Sequence, residues 1–226
     1  MKSINIYQKE MEEEEEVINY IRQNLHPNFS LAISGGNSPM SLFSLMKDSL
    51  KTEELDNIKF FWVDERMVKE EDSQSNYGNF KRLMAPKVKS SHLFPIYYHN
   101  NTAFSVKEYE QTLKDNLIIA NEAPVFDLIL LGLGNDGHTA SLFSTVYLNN
   151  SQIVLETYNK ALGQERITLS LKTINNAKAR VFFIKGEDKK QIVKEVLVDK
   201  NINYPASFVT NINTYWVLDE KAASLI

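Results

Sequence analysis

The sequence predicts an α/β protein: one Rossmann-like open sheet, mostly parallel, with helices on both faces. Three observations lead there. Short β-rich runs alternate with helical patterns along the chain, the order that builds a parallel sheet. Two runs, FFWV (60–63) and LILL (128–131), are almost continuously apolar, as strands covered on both faces require. No linker, internal repeat or low-complexity tract divides the 226 residues, so a single domain over 1–226 is expected.

Taken in order, SINIY (3–7) is the first strand and 9–25 the first helix. The carboxylates Glu12 to Glu16 open that helix, where the positive dipole end favours them, and are expected on a solvated face. FSLAIS (29–34) is a strand, followed by a helix over 39–50 with Pro39 in its first turn. IKFFWVD (58–64) is the next strand; Ser75 and Asn76 are placed to cap a helix over 76–85. A helix over 103–120, a strand in FDLILLGLG (126–134), strands QIVLE (152–156) and ARVFFIK (179–185), a helix over 187–199, the strand TYWVLD (214–219) and a helix over 219–225 complete the prediction. In such a sheet ligands gather outside the carboxyl ends of the strands, where strand order reverses.

Composition narrows the function classes. The chain carries 25 Lys and Arg against 29 Asp and Glu, a formal charge of −4, with 43% hydrophobic and 24% charged residues, as in ordinary soluble globular proteins. That balance argues against nucleic-acid or anionic-membrane partners, both of which call for surplus cations. With zero cysteines there is no disulfide, thiolate nucleophile, Cys-ligated zinc or iron–sulfur cluster. No apolar run approaches the roughly 18–20 residues of a membrane span, and Glu stands where a signal peptide needs its apolar core, so a cytoplasmic location is expected.

Five of only 8 glycines fall in two short segments, each just after a predicted strand. Gly35 and Gly36 lie in SGGNSP, where Asn37 and Ser38 precede a helix whose free N–H groups suit phosphate or sugar hydroxyls. The segment lacks the Lys of a P-loop, which argues against a nucleoside triphosphate. Gly132, Gly134 and Gly137 satisfy G-x-G-x-x-G, and Glu156 stands near where a ribose-binding acid belongs. Against a dinucleotide, only His138 to about Ser144 remain for the following helix, and Asp136 and His138 flank the third glycine as an acid and a base.

His138 differs from His26, His92 and His99 in following a glycine loop at a strand's carboxyl end, with Asp136 two residues earlier. An imidazole with an unperturbed pKa of about 6.5 can take a proton from water. It has no partner at His-x-x-x-His spacing, so a general base is expected rather than a metal ligand, and no metal or organic cofactor is called for. A third segment, WVDERMV, ends a buried run with Asp64, Glu65 and Arg66; Arg166 precedes the strand-like ITLSL, and Lys189 and Lys190 follow Gly186. Together such cations can surround a phosphate.

Collectively these segments resemble the 6-phosphogluconolactonases, within the wider group that includes the glucosamine-6-phosphate deaminases. SGGNSP is similar to the family's SGGSTP loop, WVDERMV with SNYGNF to its W-x-D-E-R-x-V and S-N segments, and LLGLGNDGHTASLF to its most diagnostic stretch. Similarity continues through RITLSLKTINNAKARVFFIKGEDKK and PASFVTNINTYWVLDEKAA. Departures are Asn37-Ser38 for Ser-Thr, Ser144 for a common proline, and YNKALGQER before Arg166. The deaminases' A-F-N-E-P-like continuation after Asp-Gly-His is absent.

The resemblance implies a NagB/RpiA/CoA transferase-like fold and hydrolysis of 6-phospho-D-glucono-1,5-lactone. His138 is then the base supported by Asp136, with Gly35, Gly36, Asn37, Ser38, Asp64, Arg66, Arg166 and Lys189 around the substrate and its phosphate. The partner is a small sugar-phosphate lactone; oligomeric state is not read from the sequence. The alternatives are a sugar-phosphate deaminase or isomerase, and a non-catalytic sugar-phosphate sensor.

Overall fold

The structure, a computed structural model, describes residues 3–8, 11–36 and 39–226. Asn37 and Ser38 lie outside the described residues. Its strands are β1 (Ser3–Tyr7), β2 (Phe29–Ile33), β3 (Ile58–Trp62), β4 (Asp64–Arg66), β5 (Leu93–Phe94), β6 (Ile118–Ala120), β7 (Ala123–Val125), β8 (Leu128–Leu131), β9 (Val154–Asn159), β10 (Gln164–Leu169), β11 (Ala179–Ile184) and β12 (Thr214–Asp219). The α-helices are α1 (Glu12–Asn24), α2 (Met40–Ser49), α3 (Thr52–Leu55), α4 (Asn76–Met84), α5 (Thr102–Asn116), α6 (Leu171–Asn175) and α7 (Lys190–Val193).

Seven strands form one parallel sheet in the order β1-β12-β11-β8-β2-β3-β5. From β2 the chain builds outward through β3 to β5, returns to β8 on the other side of β2, and builds through β11 to β12. Strand order therefore reverses between β2 and β8. Every residue of β2, β8 and β11 is buried, which accounts for the continuous apolar run of β8, while Ser30 and Arg180 are buried polar residues in β2 and β11.

The predicted strand 58–64 divides. Val63 N donates to Ile33 O at 2.9 Å, keeping the chain beside β2, and then β4 turns away to pair antiparallel with β10, itself paired with β9. This three-stranded sheet stands at the carboxyl end of the large one. The predicted strand 152–156 is shifted to β9, and the strand expected after Arg166 begins at Gln164, so Arg166 lies inside β10.

Other differences have local causes. The helix expected over 103–120 stops at Asn116, and Ile118–Ala120 reverses into a small hairpin with β7. The stretch 187–199 is helical but changes pitch, with a 3-10 turn (Glu187–Lys189), α7 and a π turn (Lys194–Val198). No helix forms over 219–225; the Asp219 carboxylate accepts from Ala222 N at 2.8 Å and from Gly186 N, a side-chain alternative to helical bonding. Pro39 is the N-cap of α2 rather than part of its first turn.

The acidic run is not simply a solvated face. Glu13 and Glu14 are buried, and Lys185 Nζ donates to Glu14 Oε1 at 2.9 Å and stands 3.5 Å from Glu13 Oε2. Ser41 Oγ also donates to Glu14, tying α1 to α2 and to the end of β11. Burial opposes the Glu14 charge, but Ser41 and Lys185 outweigh it and hold the carboxyl below the ordinary glutamate range.

The opposite end of the sheet has its own clasp. Asp127, just before β8, accepts from Ser30 N and Ser30 Oγ at 2.8 Å each and from Lys178 Nζ at 2.7 Å, joining the starts of β2, β8 and β11. Nearby, the buried Arg180 donates to the carbonyls of Ile174, Asn175, Ala177 and Ile212 and to Thr214 Oγ1.

Candidate active site

Strand ends position the site. The loop after β2 brings Gly35 and Gly36, the loop after β8 brings Gly132 to His138, the turn into β4 brings Asp64 and Arg66, β10 brings Arg166, and the turn before α7 brings Lys189. All of these except Asn135, Asp136 and Gly137 line one cavity of about 300 Å³ outside the carboxyl ends of β2 and β8, at the reversal of strand order.

The loop after β8 folds tightly on itself. Gly134 N donates to His138 O at 2.8 Å, Gly137 N to Gly134 O at 2.9 Å, and Thr139 Oγ1 to Gly132 O at 2.9 Å. Gly137 has φ of +77°, and a Cβ there would stand 2.2 Å from the Tyr204 ring. A Cβ on Gly134 would stand 2.2 Å from His138 Nδ1 and 2.6 Å from Asp136 Oδ1, so the acid–base pair packs directly on bare backbone. His138 Nδ1–H donates to Asp136 Oδ1, and that bond is the chief reason the Asp136 carboxyl lies below its ordinary range. The Phe143 ring packs 4.9 Å from the imidazole, centroid to centroid. No helix follows: residues 138–144 are irregular, with a single bridge from Thr139 to Leu142. A dinucleotide's pyrophosphate would need the N-terminus of such a helix.

The cationic wall comes from the small sheet. Arg66 and Arg166 are cross-strand partners, two like charges placed opposite each other, an arrangement that is unfavourable unless something compensates it. Arg166 is only 4% exposed, and burial, then the Arg66 charge, push its guanidinium down to about 10. Among the described residues the Nε of each arginine is buried without a hydrogen-bond partner, although Arg66 NH1 donates to Gln74 O at 2.5 Å. Lys189 Nζ, from the other side of the site, donates to Asn135 Oδ1 at 2.6 Å.

Two acids brace this wall. Asp64 is buried and accepts from Ser141 Oγ at 2.6 Å. Glu65 turns away from the cavity and accepts from Arg66 N, Asn76 N and Tyr77 N at 2.7–2.8 Å, closing the N-terminus of α4. Burial pushes Glu65 up to about 7, while those three N–H donors pull it down. Asn76 Nδ2 donates to Asp64 O at 2.9 Å, and Asn76 lines the cavity beside Gly35. Among the described residues no group of three or more His, Asp or Glu side chains is placed to hold a metal ion.

A model of the family described as glucosamine-6-phosphate isomerases/6-phosphogluconolactonase matches residues 9–216. The chain belongs to this family. Among its members, the 6-phosphogluconolactonase of Haemophilus influenzae is 34% identical over 222 residues, covering 94% of this chain and 93% of its own. The 6-phosphogluconolactonase 4 of Saccharomyces cerevisiae is 36% identical over 217 residues, covering 88% and 84%. Among solved structures, the devB protein superposes with a TM-score of 0.92 at 27% identity over 100% of both chains. The 6-phosphogluconolactonase of Trypanosoma brucei gives 0.88 at 25%, covering 99% and 98%. The family's mostly parallel α/β fold is the fold seen here.

Sequence reasoning did not single out Asn135, Ser141 or Phe143, and it read Asn76 only as a cap. Ser141 and Phe143 follow His138 in ASLF, so proximity in the chain was the available signal. Nothing local in the sequence pairs Arg66 with Arg166 across 100 residues.

Proposed function

We propose that this chain hydrolyses 6-phospho-D-glucono-1,5-lactone to 6-phospho-D-gluconate, the second step of the oxidative pentose phosphate pathway. The observation that carries the reading is one cavity shared by a carboxylate-supported imidazole and three cationic side chains. Its relatives bear the name of this activity over nearly the whole chain.

The phosphate dianion seats between Arg66 and Arg166, where it turns an unfavourable like-charge pair into a bidentate clamp, and Lys189 closes it from the opposite side. Anchoring that remote group fixes the lactone ring, so attack on it becomes effectively intramolecular. With the Nδ1 proton committed to Asp136, Nε2 is the basic nitrogen of His138. It takes a proton from water as the water oxygen bonds to the lactone carbonyl carbon. The tetrahedral oxyanion falls to backbone N–H groups of the glycine loops, each such donor typically worth about 3 kcal/mol. His138 then returns the proton to the ring oxygen as the C–O bond breaks, and Asp136 stabilises the intervening imidazolium. No covalent intermediate is required of so activated an ester.

The test is acid release from freshly generated lactone, read against a control without protein because the lactone also opens unaided. Acceleration above that control is expected. No acceleration overturns the reading: ammonia release from glucosamine 6-phosphate would then indicate a deaminase, and binding without turnover a sensor.

A further inference from the structure

One side chain that touches Lys189 has no part in the chemistry above: Asn135, between Gly134 and Asp136 in the loop that carries the imidazole. Its Oδ1 accepts from Lys189 Nζ at 2.6 Å, and its Nδ2 donates to Asp188 Oδ2 at 3.3 Å. Lys189 Nζ and Asp188 Oδ2 are themselves 3.7 Å apart, a long ion pair rather than a hydrogen bond. The lysine side chain is 17% exposed and lines the cavity, whereas the aspartate is 62% exposed and does not.

We propose that Asn135 is a positioning residue that, by bridging Lys189 and Asp188, keeps their long ion pair from tightening and holds the Lys189 ammonium toward the cavity. The inference rests on the reading of Lys189 as a phosphate ligand. An amide suits the task because it presents its oxygen to the cation and its N–H to the anion while carrying no charge. Remove it, and the carboxylate and ammonium are free to shorten their ion pair into a direct hydrogen bond. The shortened pair would draw Nζ away from the substrate and offset more of the charge the phosphate needs. An aspartate in its place would pair with Lys189 directly and repel Asp188. Asn135 also belongs to the loop closed by Gly134 N and His138 O, so the cation and the imidazole are registered on one frame. Phosphate held by Lys189 is thereby placed relative to the base.

The experiment compares the full chain with Asn135→Ala, Asp188→Asn and the double variant. The readouts are KM and kcat with fresh lactone and, independently of turnover, the dissociation constant of inorganic phosphate by calorimetry. Asn135→Ala is expected to raise KM and weaken phosphate binding about tenfold each, with kcat within about twofold. Asp188→Asn alone is expected to change either by less than about twofold, and the double variant to recover most of the lost affinity. Unchanged phosphate affinity in Asn135→Ala, or a loss that Asp188→Asn does not recover, overturns the proposal; the second result is what a merely structural amide would give. Should Asn135→Ala unfold, Asn135→Ser takes its place with the same expectations. A wild-type chain that binds phosphate but does not open the lactone overturns the catalytic reading and leaves the role of Asn135 decided by phosphate affinity. A wild-type chain that binds no phosphate overturns both.

Discussion

His138 works with its carboxylate and against its glycines. Replacing His138 with Ala is expected to lower kcat by about 10²- to 10⁴-fold, the usual worth of a positioned general base, while phosphate affinity is retained. Steady-state kinetics beside phosphate calorimetry separates the two quantities. Arg66→Ala should do the reverse, raising KM with little change in kcat, because it removes binding that ground state and transition state share. Within the loop the glycines are not equivalent. A Cβ on Gly132 meets nothing within 4 Å, whereas one on Gly134 occupies the place of the His138 ring. Gly134→Ala is therefore expected to cost kcat by displacing the pair, while Gly132→Ala keeps its fold and shows any defect in KM, since Gly132 borders the cavity. The meeting of His138, Asp136, Arg66 and Lys189 at one end of the sheet was legible because each lies next to a glycine loop or a strand end, a local signal. The opposition of Arg166 to Arg66 was not, because antiparallel register between distant segments leaves no mark in either.

The elements most readily read from sequence were those whose burial is continuous or whose apolar spacing is regular: β2, β8, β11, α1, α2 and α4. The short strands β4 to β7 carry too few residues to show a period, and of β4 only Asp64 fell within the strand expected over 58–64. Burial of Glu13 and Glu14 went unread for a related reason: the ammonium that meets them comes from Lys185, at the far end of the chain. At the other end of the sheet Asp127 yields a prediction about pH. Burial raises its pKa, but Lys178 and the Ser30 N–H and hydroxyl outweigh that and leave the carboxyl below its ordinary value of 3.8. A group depressed on folding binds fewer protons in the native state than in the unfolded one. Its stabilisation is therefore complete above the unfolded pKa and is lost as pH falls below that value. Denaturant unfolding of Asp127→Asn should show a deficit of about 1–3 kcal/mol at pH 7. The gap from wild type should shrink as pH drops below about 4. KM and kcat at pH 7 should not move, since this clasp is at the end of the strands remote from the cavity.

On the scale of the molecule, alternation of strands and helices was enough to foresee a parallel sheet with a cavity at the strand-order reversal, and the two glycine segments mark that reversal in the chain. What composition could not convey was the second, antiparallel sheet, which converts a plain crevice into a walled cavity with facing arginines. That wall leaves the unliganded molecule with a like-charge repulsion that Asp64 and Glu65 offset in part, so inorganic phosphate is expected to raise Tm in a concentration-dependent way. In Arg66→Ala the rise should be smaller, as differential scanning calorimetry can measure. The pairing of β1 with β12 has a further consequence. Ser3 lies beside Tyr215, so among the described residues the first strand in chain order has its one sheet neighbour in the last. During synthesis that margin of the sheet must stay open until β12 has been made. Docking of the N-terminal segment is thus a late, long-range closure, the kind of contact whose loop entropy slows the final stage of folding.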